Sequence, residues 1–211
     1  TAGVFLVVRC SPIFEYSQIA LNLVAVVGMI TAIFAATVAL VQNDIKKIVA
    51  YSTCSQLGYM FFAAGVGAYH VAMFHLFTHA FFKALLFLGA GSVIHAFKDE
   101  QDIRNMGGVR KNLPFTYFFM LIGTLALTGF PFLSGFYSKD AIIEFAYLKN
   151  STLGNYVAIT GILTAFLTSI YSWRLFFKTF HGSYNNKKIS IDETHESPKS
   201  MIIPLVFLSM G

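Results

Sequence analysis

Long apolar segments constrain this chain more than any other feature of its sequence. Segments long enough to cross a bilayer cover residues 19–41, 51–67, 70–96, 114–147 and 156–180, and shorter ones cover 1–8 and 201–211. The residues are 56% hydrophobic and only 12% charged, about half the charged share of a soluble domain. A backbone in lipid must satisfy its own hydrogen bonds, so we expect an all-α polytopic membrane protein with residues 1–211 in one membrane domain.

The segment 114–147 contains residues that break helices. Gly129-Phe130-Pro131 interrupts it and Gly135 loosens it again, so we expect two half-helices joined by unwound backbone. Counted as one broken crossing, it leaves two basic residues, Arg9 and Lys149, on one side of the membrane and ten on the other. Those ten are Lys46, Lys47, Lys98, Arg104, Arg110, Lys111, Lys178, Lys187, Lys188 and Lys199. If the segment formed two crossings, seven basic residues would lie on one side of the membrane and five on the other. One crossing is favoured, with the basic side facing cytoplasm or mitochondrial matrix.

Three ionisable side chains share one face of the segment 70–96. His75, His79 and Lys83 are four residues apart, so a helix stacks them in a column with about 6 Å between neighbours. Lys83 lies thirteen residues from each end, near the bilayer centre, where a charge is costly. Groups that exchange protons near neutral pH, with water between them, suit a proton wire. The structural alternative is a lysine held in a permanent ion pair with a neighbouring helix.

Two more cations lie inside apolar segments. Lys139 follows the break and lies nearer the outer surface; Asp140 is adjacent, and Glu144 stands one turn beyond Asp140, so both are candidate acceptors of its proton. Alternatively, Lys139 anchors the end of the half-helix and pairs with a carboxylate. Arg174 lies about six residues from the basic end of its segment, which favours snorkelling to the interface.

Motifs for cofactors and nucleic acid are not recognised in the sequence. Cys10 and Cys54 form no motif and are interpreted as packing residues. Nothing resembles a nucleotide loop, a flavin site or an iron–sulfur cysteine set, so we expect no cofactor in this chain. The basic residues are scattered between apolar segments, which favours a lipid bilayer over nucleic acid as their partner. The polar segment 182–200 is predicted to be an exposed loop.

Several ordered motifs resemble one family. The run AMFHLFTHAFFKALLFL at 72–88 closely resembles the proton-pumping, antiporter-like membrane subunits of respiratory complex I. Further matching blocks are NDIKKIVAYST at 43–53, SQLGYM at 55–60, MGGVRK at 106–111 and GFYSKD at 135–140. The resemblance covers nearly the whole chain.

The resemblance implies a fold, a function and a set of site residues. The fold would be part of an antiporter-like bundle of two inverted five-helix repeats, each with one discontinuous helix, of which mainly the second repeat is present. His75, His79 and Lys83 would relay protons, and Lys139 would be the terminal carrier. The function would be proton translocation driven by NADH oxidation with quinone.

The resemblance also implies partners and a location. NADH, FMN, iron–sulfur clusters and quinone would belong to partner subunits, and the other membrane and redox subunits of complex I would be partners. Because the chain begins after the family's earlier elements, we expect another polypeptide to supply the missing N-terminal helices. The chain would span a bacterial plasma membrane or a mitochondrial inner membrane several times. Alternatives are a subunit of a multisubunit sodium/proton antiporter and a structural membrane scaffold with buried ion pairs.

Overall fold

Helices build the bundle, as predicted for an all-α membrane protein. A computed structural model describes residues 1–186 and 189–210 of the chain. The α-helices of these residues are α1 (Ala2–Arg9), α2 (Ser11–Phe14), α3 (Gln18–Val41), α4 (Ile45–Gly65), α5 (Tyr69–Ala96), α6 (Pro114–Thr128), α7 (Ser134–Leu148), α8 (Thr152–Phe180) and α9 (Lys199–Leu208). Single turns of 3₁₀ helix lie at Ile103–Asn105 and Ile191–Glu193. Of the shorter predicted segment 201–211, Gly211 lies outside the described residues.

Capping residues set the helix starts. The Asp44 carboxylate accepts a hydrogen bond from the Lys47 amide at 3.0 Å, and the Ser151 hydroxyl accepts one from the Gly154 amide at 3.0 Å. The α4 helix therefore begins at Ile45, ahead of the apolar segment predicted from residue 51. Hydrophobicity marks only the part of a helix that lies in lipid, whereas the cap marks where the helix starts.

The backbones of α3 and α4 are in direct contact. A Cβ atom at Gly28 would lie 2.5 Å from the Phe62 nitrogen, and one at Gly58 would lie 2.6 Å from the Ala32 nitrogen. The Ser55 hydroxyl donates to the Ala32 carbonyl oxygen at 2.9 Å across the same contact. Small residues allow such close packing, which stabilises helix pairs in lipid through van der Waals contacts.

The predicted helix break lies between α6 and α7. Gly129 ends α6 in a left-handed conformation with φ of 79°, which favours glycine, and Pro131 follows in the unwound link. The prediction that Gly135 loosens the helix again is wrong, since Gly135 lies inside α7. A Cβ atom there would be 1.8 Å from the Ala126 oxygen, so glycine lets the first turn of α7 rest on the last turn of α6.

Three connections meet at one end of the bundle: residues 42–44, residues 97–113, and the described residues 181–186 and 189–198. Asp44 and Asp102 form an isolated antiparallel bridge. The Arg174 guanidinium donates to the Gln42 carbonyl oxygen and to Asn43 Oδ1, each at 2.6 Å. Arg174 therefore reaches the end of the bundle, as snorkelling predicts.

This end carries most of the basic residues. Eight of the ten assigned to it lie in or beside these connections, namely Lys46, Lys47, Lys98, Arg104, Arg110, Lys111, Lys178 and Lys199. Lys187 and Lys188 lie outside the described residues. The side-chain hydrogen bond from Arg104 lowers the pKa of Asp102 below its ordinary value of 3.8, which keeps this carboxylate ionised beside the bridge.

The opposite end joins the connections that follow α4 and α7. Lys149 Nζ donates to the Val66 carbonyl oxygen at 2.5 Å. The start of α6 lies at the basic end, where Asn112 Nδ2 donates to the Ile191 carbonyl oxygen at 2.8 Å. The α6 and α7 helices therefore cross the bundle once between them.

The outer surface of the bundle suits lipid. By length and composition, three helices of the described residues can each cross a membrane: α3, α5 and α8. The α4 helix and the α6–α7 pair run between the same two ends. The outward face of α3 presents side chains more than half exposed, among them Ile19, Leu23, Ile30 and Phe34. This surface is apolar, so the ionisable groups inside the bundle lie apart from it.

The segment 182–200 is not simply the exposed loop that was predicted. Thr194 and Ser197 are buried, and α9 already begins at Lys199. The Glu196 carboxylate accepts a hydrogen bond from the Phe115 amide at 2.8 Å, at the start of α6. The free amides at a helix start favour an acidic partner, and this contact ties the polar segment to the bundle.

Candidate functional site

The predicted column on α5 lies inside the bundle. His75, His79 and Lys83 are 0%, 3% and 4% exposed, respectively. The imidazole centroids of His75 and His79 are 6.0 Å apart, which is the spacing expected from one helical turn. The opposite face of α5 exposes apolar side chains, among them Phe74, Phe77, Phe87 and Leu88. The α5 helix therefore has an inner face with ionisable side chains and an outer face whose apolar side chains suit lipid.

His75 contacts two neighbouring helices through its ring nitrogens. Nδ1 lies 2.8 Å from the Ser138 hydroxyl on α7, and Nε2 lies 3.2 Å from Gln56 Oε1 on α4. Thr78 also donates to the Ser138 hydroxyl, at 3.1 Å. Both ring nitrogens are therefore held in place, so His75 links α4, α5 and α7.

The His79 ring differs from that of His75 in its hydrogen bonding. Its Nε2 is buried and has no hydrogen-bond partner in the described part of the chain. The ring packs edge-on against Phe82, with 5.3 Å between the centroids. A buried polar atom without a protein partner typically binds an ordered water. The Nε2 atom of His79 is thus available for a water molecule.

Lys83 binds hydroxyl groups instead of a carboxylate. Its amine donates to the Ser52 hydroxyl, which lies 2.7 Å from the Tyr171 hydroxyl; Tyr171 in turn donates to Thr168 at 3.3 Å. Both ion pairs of residues 1–186 and 189–210, Lys98 with Glu193 and Arg104 with Asp102, lie elsewhere. The permanent ion pair considered as the structural alternative for Lys83 is therefore not found among the described residues.

A small cavity adjoins the Lys83 amine. Its volume is about 10 Å³, and its lining includes Ser52, Lys83, Tyr171 and Ser172. The Ser172 hydroxyl is buried and has no hydrogen-bond partner in the structurally described ranges. A cavity of this size has room for about one water molecule. The rest of the lining is largely apolar, with Ile48, Val49, Leu86, Leu127 and Leu175 among its residues.

Lys139 reaches back across the helix break. Its side chain is buried, and its amine donates to the Leu127 carbonyl oxygen in the last turn of α6. The amine lies 5.8 Å from the centroid of the Tyr59 ring. The last carbonyls of a helix have no partner within the helix and carry partial negative charge, so a cation is favoured there. The helix break thus leaves the Leu127 carbonyl oxygen free to accept a hydrogen bond from Lys139.

The two carboxylates named as candidate proton acceptors lie on another face of α7. Asp140 and Glu144 are exposed, together with Tyr137 and Tyr147. The structure therefore brings His75, His79, Lys83 and Lys139 into the bundle but leaves these carboxylates on its surface. The Lys139 amine donates to a backbone carbonyl, and no carboxylate of the described residues pairs with it, as the anchoring alternative would require.

Sequence reasoning missed the polar side chains that hold the column. Ser52, Gln56 and Tyr171 are buried, as are Thr78 and Ser138. A signal was present, because Ser52 and Gln56 are one turn apart within an apolar segment. Polar residues inside a membrane segment are favoured where they face other helices.

Comparisons with known proteins agree with this architecture. A family profile described as "NADH:quinone oxidoreductase/Mrp antiporter, TM" matches residues 1–168. NADH-ubiquinone oxidoreductase chain 5 of Marchantia polymorpha is 56% identical over 211 residues, which are 100% of this chain and 32% of that protein. NADH-quinone oxidoreductase subunit L of Rhodobacter capsulatus is 58% identical over 222 residues, covering 100% of this chain and 31% of that protein. The chain thus spans about a third of the length of these relatives.

A solved structure shares the fold. A chain of the membrane-bound sulfane sulfur reductase, an archaeal respiratory membrane complex, superposes with a TM-score of 0.80 and 26% sequence identity. The match covers 90% of this chain and 31% of that chain. The resemblance inferred from the ordered sequence motifs is thereby confirmed.

Proposed function

This chain belongs to the NADH:quinone oxidoreductase/Mrp antiporter transmembrane family, and we propose that it translocates protons across an energy-coupling membrane as part of an NADH:quinone oxidoreductase. The membrane would be a bacterial plasma membrane or a mitochondrial inner membrane. Redox chemistry with NADH, FMN, iron–sulfur clusters and quinone would take place in partner subunits. Further membrane helices, from the rest of the assembly, would complete the path.

The buried column on α5 carries the proposal. His75, His79 and Lys83 are enclosed by the bundle, and no carboxylate of the described residues pairs with Lys83. Burying ionisable groups is costly, and a packed membrane helix has no need of them. These side chains contact hydroxyl and amide groups, and a cavity of about 10 Å³ adjoins Lys83. Such surroundings suit groups that gain and lose protons repeatedly. A proton relay accounts for this arrangement better than a scaffold does.

Lys139 adjoins the column at the helix break, where its amine binds the Leu127 carbonyl oxygen. Ser138, the residue before it, contacts His75, so the relay face of α5 meets α7 next to Lys139. From there α7 continues to Leu148, close to the end where Lys149 binds Val66. We propose that Lys139 is the terminal carrier. Asp140 and Glu144 would take part only if the proton left through the exposed face of α7.

The relatives favour the redox-driven function over sodium/proton antiport. Both named relatives are subunits of NADH oxidoreductases, one from a plant and one from a bacterium. The family description also includes Mrp antiporters, so antiport is the second candidate. The two differ in what drives transport: NADH oxidation with quinone in the first case, and a sodium gradient in the second.

The deciding experiment measures both driving forces in inverted vesicles that contain the assembled complex. We expect NADH with ubiquinone to quench a pH-sensitive dye, and a quinone-site inhibitor to abolish the quenching. A sodium gradient without NADH is expected to produce no quenching. Dye quenching driven by sodium alone would favour the antiporter. Neutral substitutions at His75, His79 and Lys83 that left NADH-driven quenching intact would favour the scaffold.

A further inference from the structure

We propose that Ser138 is a positioning residue that couples the protonation of His75 to the helix break, and that Gln56 selects the ring nitrogen that exchanges the proton. The inference rests on the proposed function, in which His75 relays protons. It concerns two side chains to which that relay assigns no role. Both are fully buried and both contact the imidazole.

Gln56 determines the state of one ring nitrogen. We assign the Nε2–H tautomer to His75, because Gln56 Oε1 lies 3.2 Å from Nε2 and an amide oxygen can only accept a hydrogen bond. Nε2 therefore keeps its proton in both the neutral and the charged form of the imidazole. The proton that arrives and leaves is the one on Nδ1, which faces Ser138 on α7.

The Ser138 hydroxyl has a different orientation for each state of His75. With this tautomer, the Nδ1 of a neutral His75 carries no proton and can accept a hydrogen bond from the Ser138 hydroxyl, 2.8 Å away. When Nδ1 is protonated, it becomes the donor, and the serine hydrogen must turn to another acceptor. The Gly135 carbonyl oxygen is 3.5 Å away. Thr78 can donate to the Ser138 oxygen in both states, at 3.1 Å.

The second acceptor lies at the break itself. Gly135 is in the first turn of α7 and rests directly on the Ala126 carbonyl group of α6. Lys139 follows Ser138 in the chain and binds Leu127 across the same break. Protonation of His75 thus redirects the Ser138 hydroxyl towards Gly135, in the first turn of α7, and this turn positions the Lys139 amine. Ser138 and Gly135 thus link His75 to Lys139 without direct contact between the two ionisable side chains.

Other charges also act on His75. The ionisable groups that face it come from three helices: His79 and Lys83 on α5, Tyr59 on α4 and Lys139 on α7. The α6 helix has no charged residue, and α1 has Arg9 at its last position only. The variants below leave all of these groups in place, so a change in pH dependence reports on Ser138 and Gln56.

The test is the pH profile of NADH-driven dye quenching in vesicles that contain the full complex. Hydrogen bonds to a charged group are stronger than neutral ones, so Ser138→Ala destabilises the imidazolium more than the imidazole. We expect its alkaline midpoint to move to lower pH by roughly half a unit to one unit. Ser138→Thr keeps the hydroxyl and should restore the wild-type midpoint. Gln56→Glu places a carboxylate beside Nε2–H and should move the midpoint to higher pH.

Ser92→Ala is the matched control. Ser92 is also buried on α5, and its hydroxyl bonds to Thr116 at 2.7 Å and to Ser197 at 2.6 Å, away from the column. We expect this variant to keep the wild-type midpoint. If Ser138→Ala and Ser92→Ala lower the amplitude alike without moving the midpoint, Ser138 has a structural role only and the coupling is rejected.

His75→Ala separates failure of the coupling from failure of the relay. Wild-type pumping in His75→Ala would reject the relay role on which the inference rests. Impaired pumping in His75→Ala together with an unmoved midpoint in Ser138→Ala would reject the coupling alone. Where Ser138→Ala does not assemble, Gln56→Glu decides, and an unmoved midpoint in that variant rejects the inference.

Discussion

The amine of Lys139 donates a hydrogen bond to the carbonyl oxygen of Leu127, on the other side of the break between α6 and α7. The two residues belong to half-helices that together cross the bundle once. The break frees the carbonyls at the end of α6, and the first cation on α7 binds one of them. This contact can serve a proton carrier or a simple anchor, and substitutions distinguish the two.

Lys139→Arg distinguishes a carrier from an anchor. Arginine keeps its proton at any accessible pH but can still donate to the Leu127 carbonyl, so it preserves an anchor and removes a carrier. We expect Lys139→Arg and Lys139→Ala each to lower NADH-driven dye quenching by roughly tenfold or more. Near wild-type quenching in Lys139→Arg, with poor quenching in Lys139→Ala, would instead support the anchor.

Removal of the central cation should impair pumping more than removal of the first histidine. Lys83→Met deletes the titrating group nearest the bilayer centre and leaves only water to bridge the gap, whereas His75→Ala leaves His79 and Lys83 in place. Normal amounts of assembled complex are expected on native gels for both. The control Lys98→Met removes a cation from an exposed ion pair and should quench the dye like wild type. Unchanged quenching in Lys83→Met would reject the central role.

Ser52 should matter more to Lys83 than Tyr171 does. Ser52→Ala removes the direct acceptor of the amine, and an unpaired buried donor costs about 1–3 kcal/mol. Tyr171→Phe leaves Ser52 in place, so we expect a smaller loss of NADH-driven quenching. Ser169→Ala is the control, because the Ser169 hydroxyl donates to the Ala165 carbonyl oxygen of its own helix, at 3.2 Å. Equal quenching in Ser52→Ala and Ser169→Ala would contradict the assignment.

The contact between α3 and α4 should not tolerate even one methyl group. Gly58→Ala places a Cβ atom 2.6 Å from the Ala32 backbone, and we expect a loss of stability of about 1–3 kcal/mol, seen as less assembled complex on native gels. The matched control is Gly91→Ala on α5, where a Cβ atom meets nothing within 4 Å. Equal loss in both variants would contradict a specific role for the close contact between α3 and α4.

Much of the fold was predictable because it depends on local properties of the chain. Apolar length marks the membrane segments, and Gly129 with Pro131 marks the break wherever the helices pack. The 100° rotation per residue places His75, His79 and Lys83 on one face in any helical arrangement. Helix starts were less accurate, as for α4, because the cap at Asp44 lies outside the apolar segment.

The sequence by itself determined a membrane bundle of helices, one broken helix and a column of ionisable groups on α5. Only the tertiary structure decided which side chains surround the column, because Ser52, Gln56 and Ser138 reach it from helices distant in sequence. It also decided that Lys139 turns inward while Asp140 and Glu144 stay on the surface. Helical periodicity gives the angles between residues of one helix. The rotation of that helix against its neighbours comes from packing, which no single segment encodes.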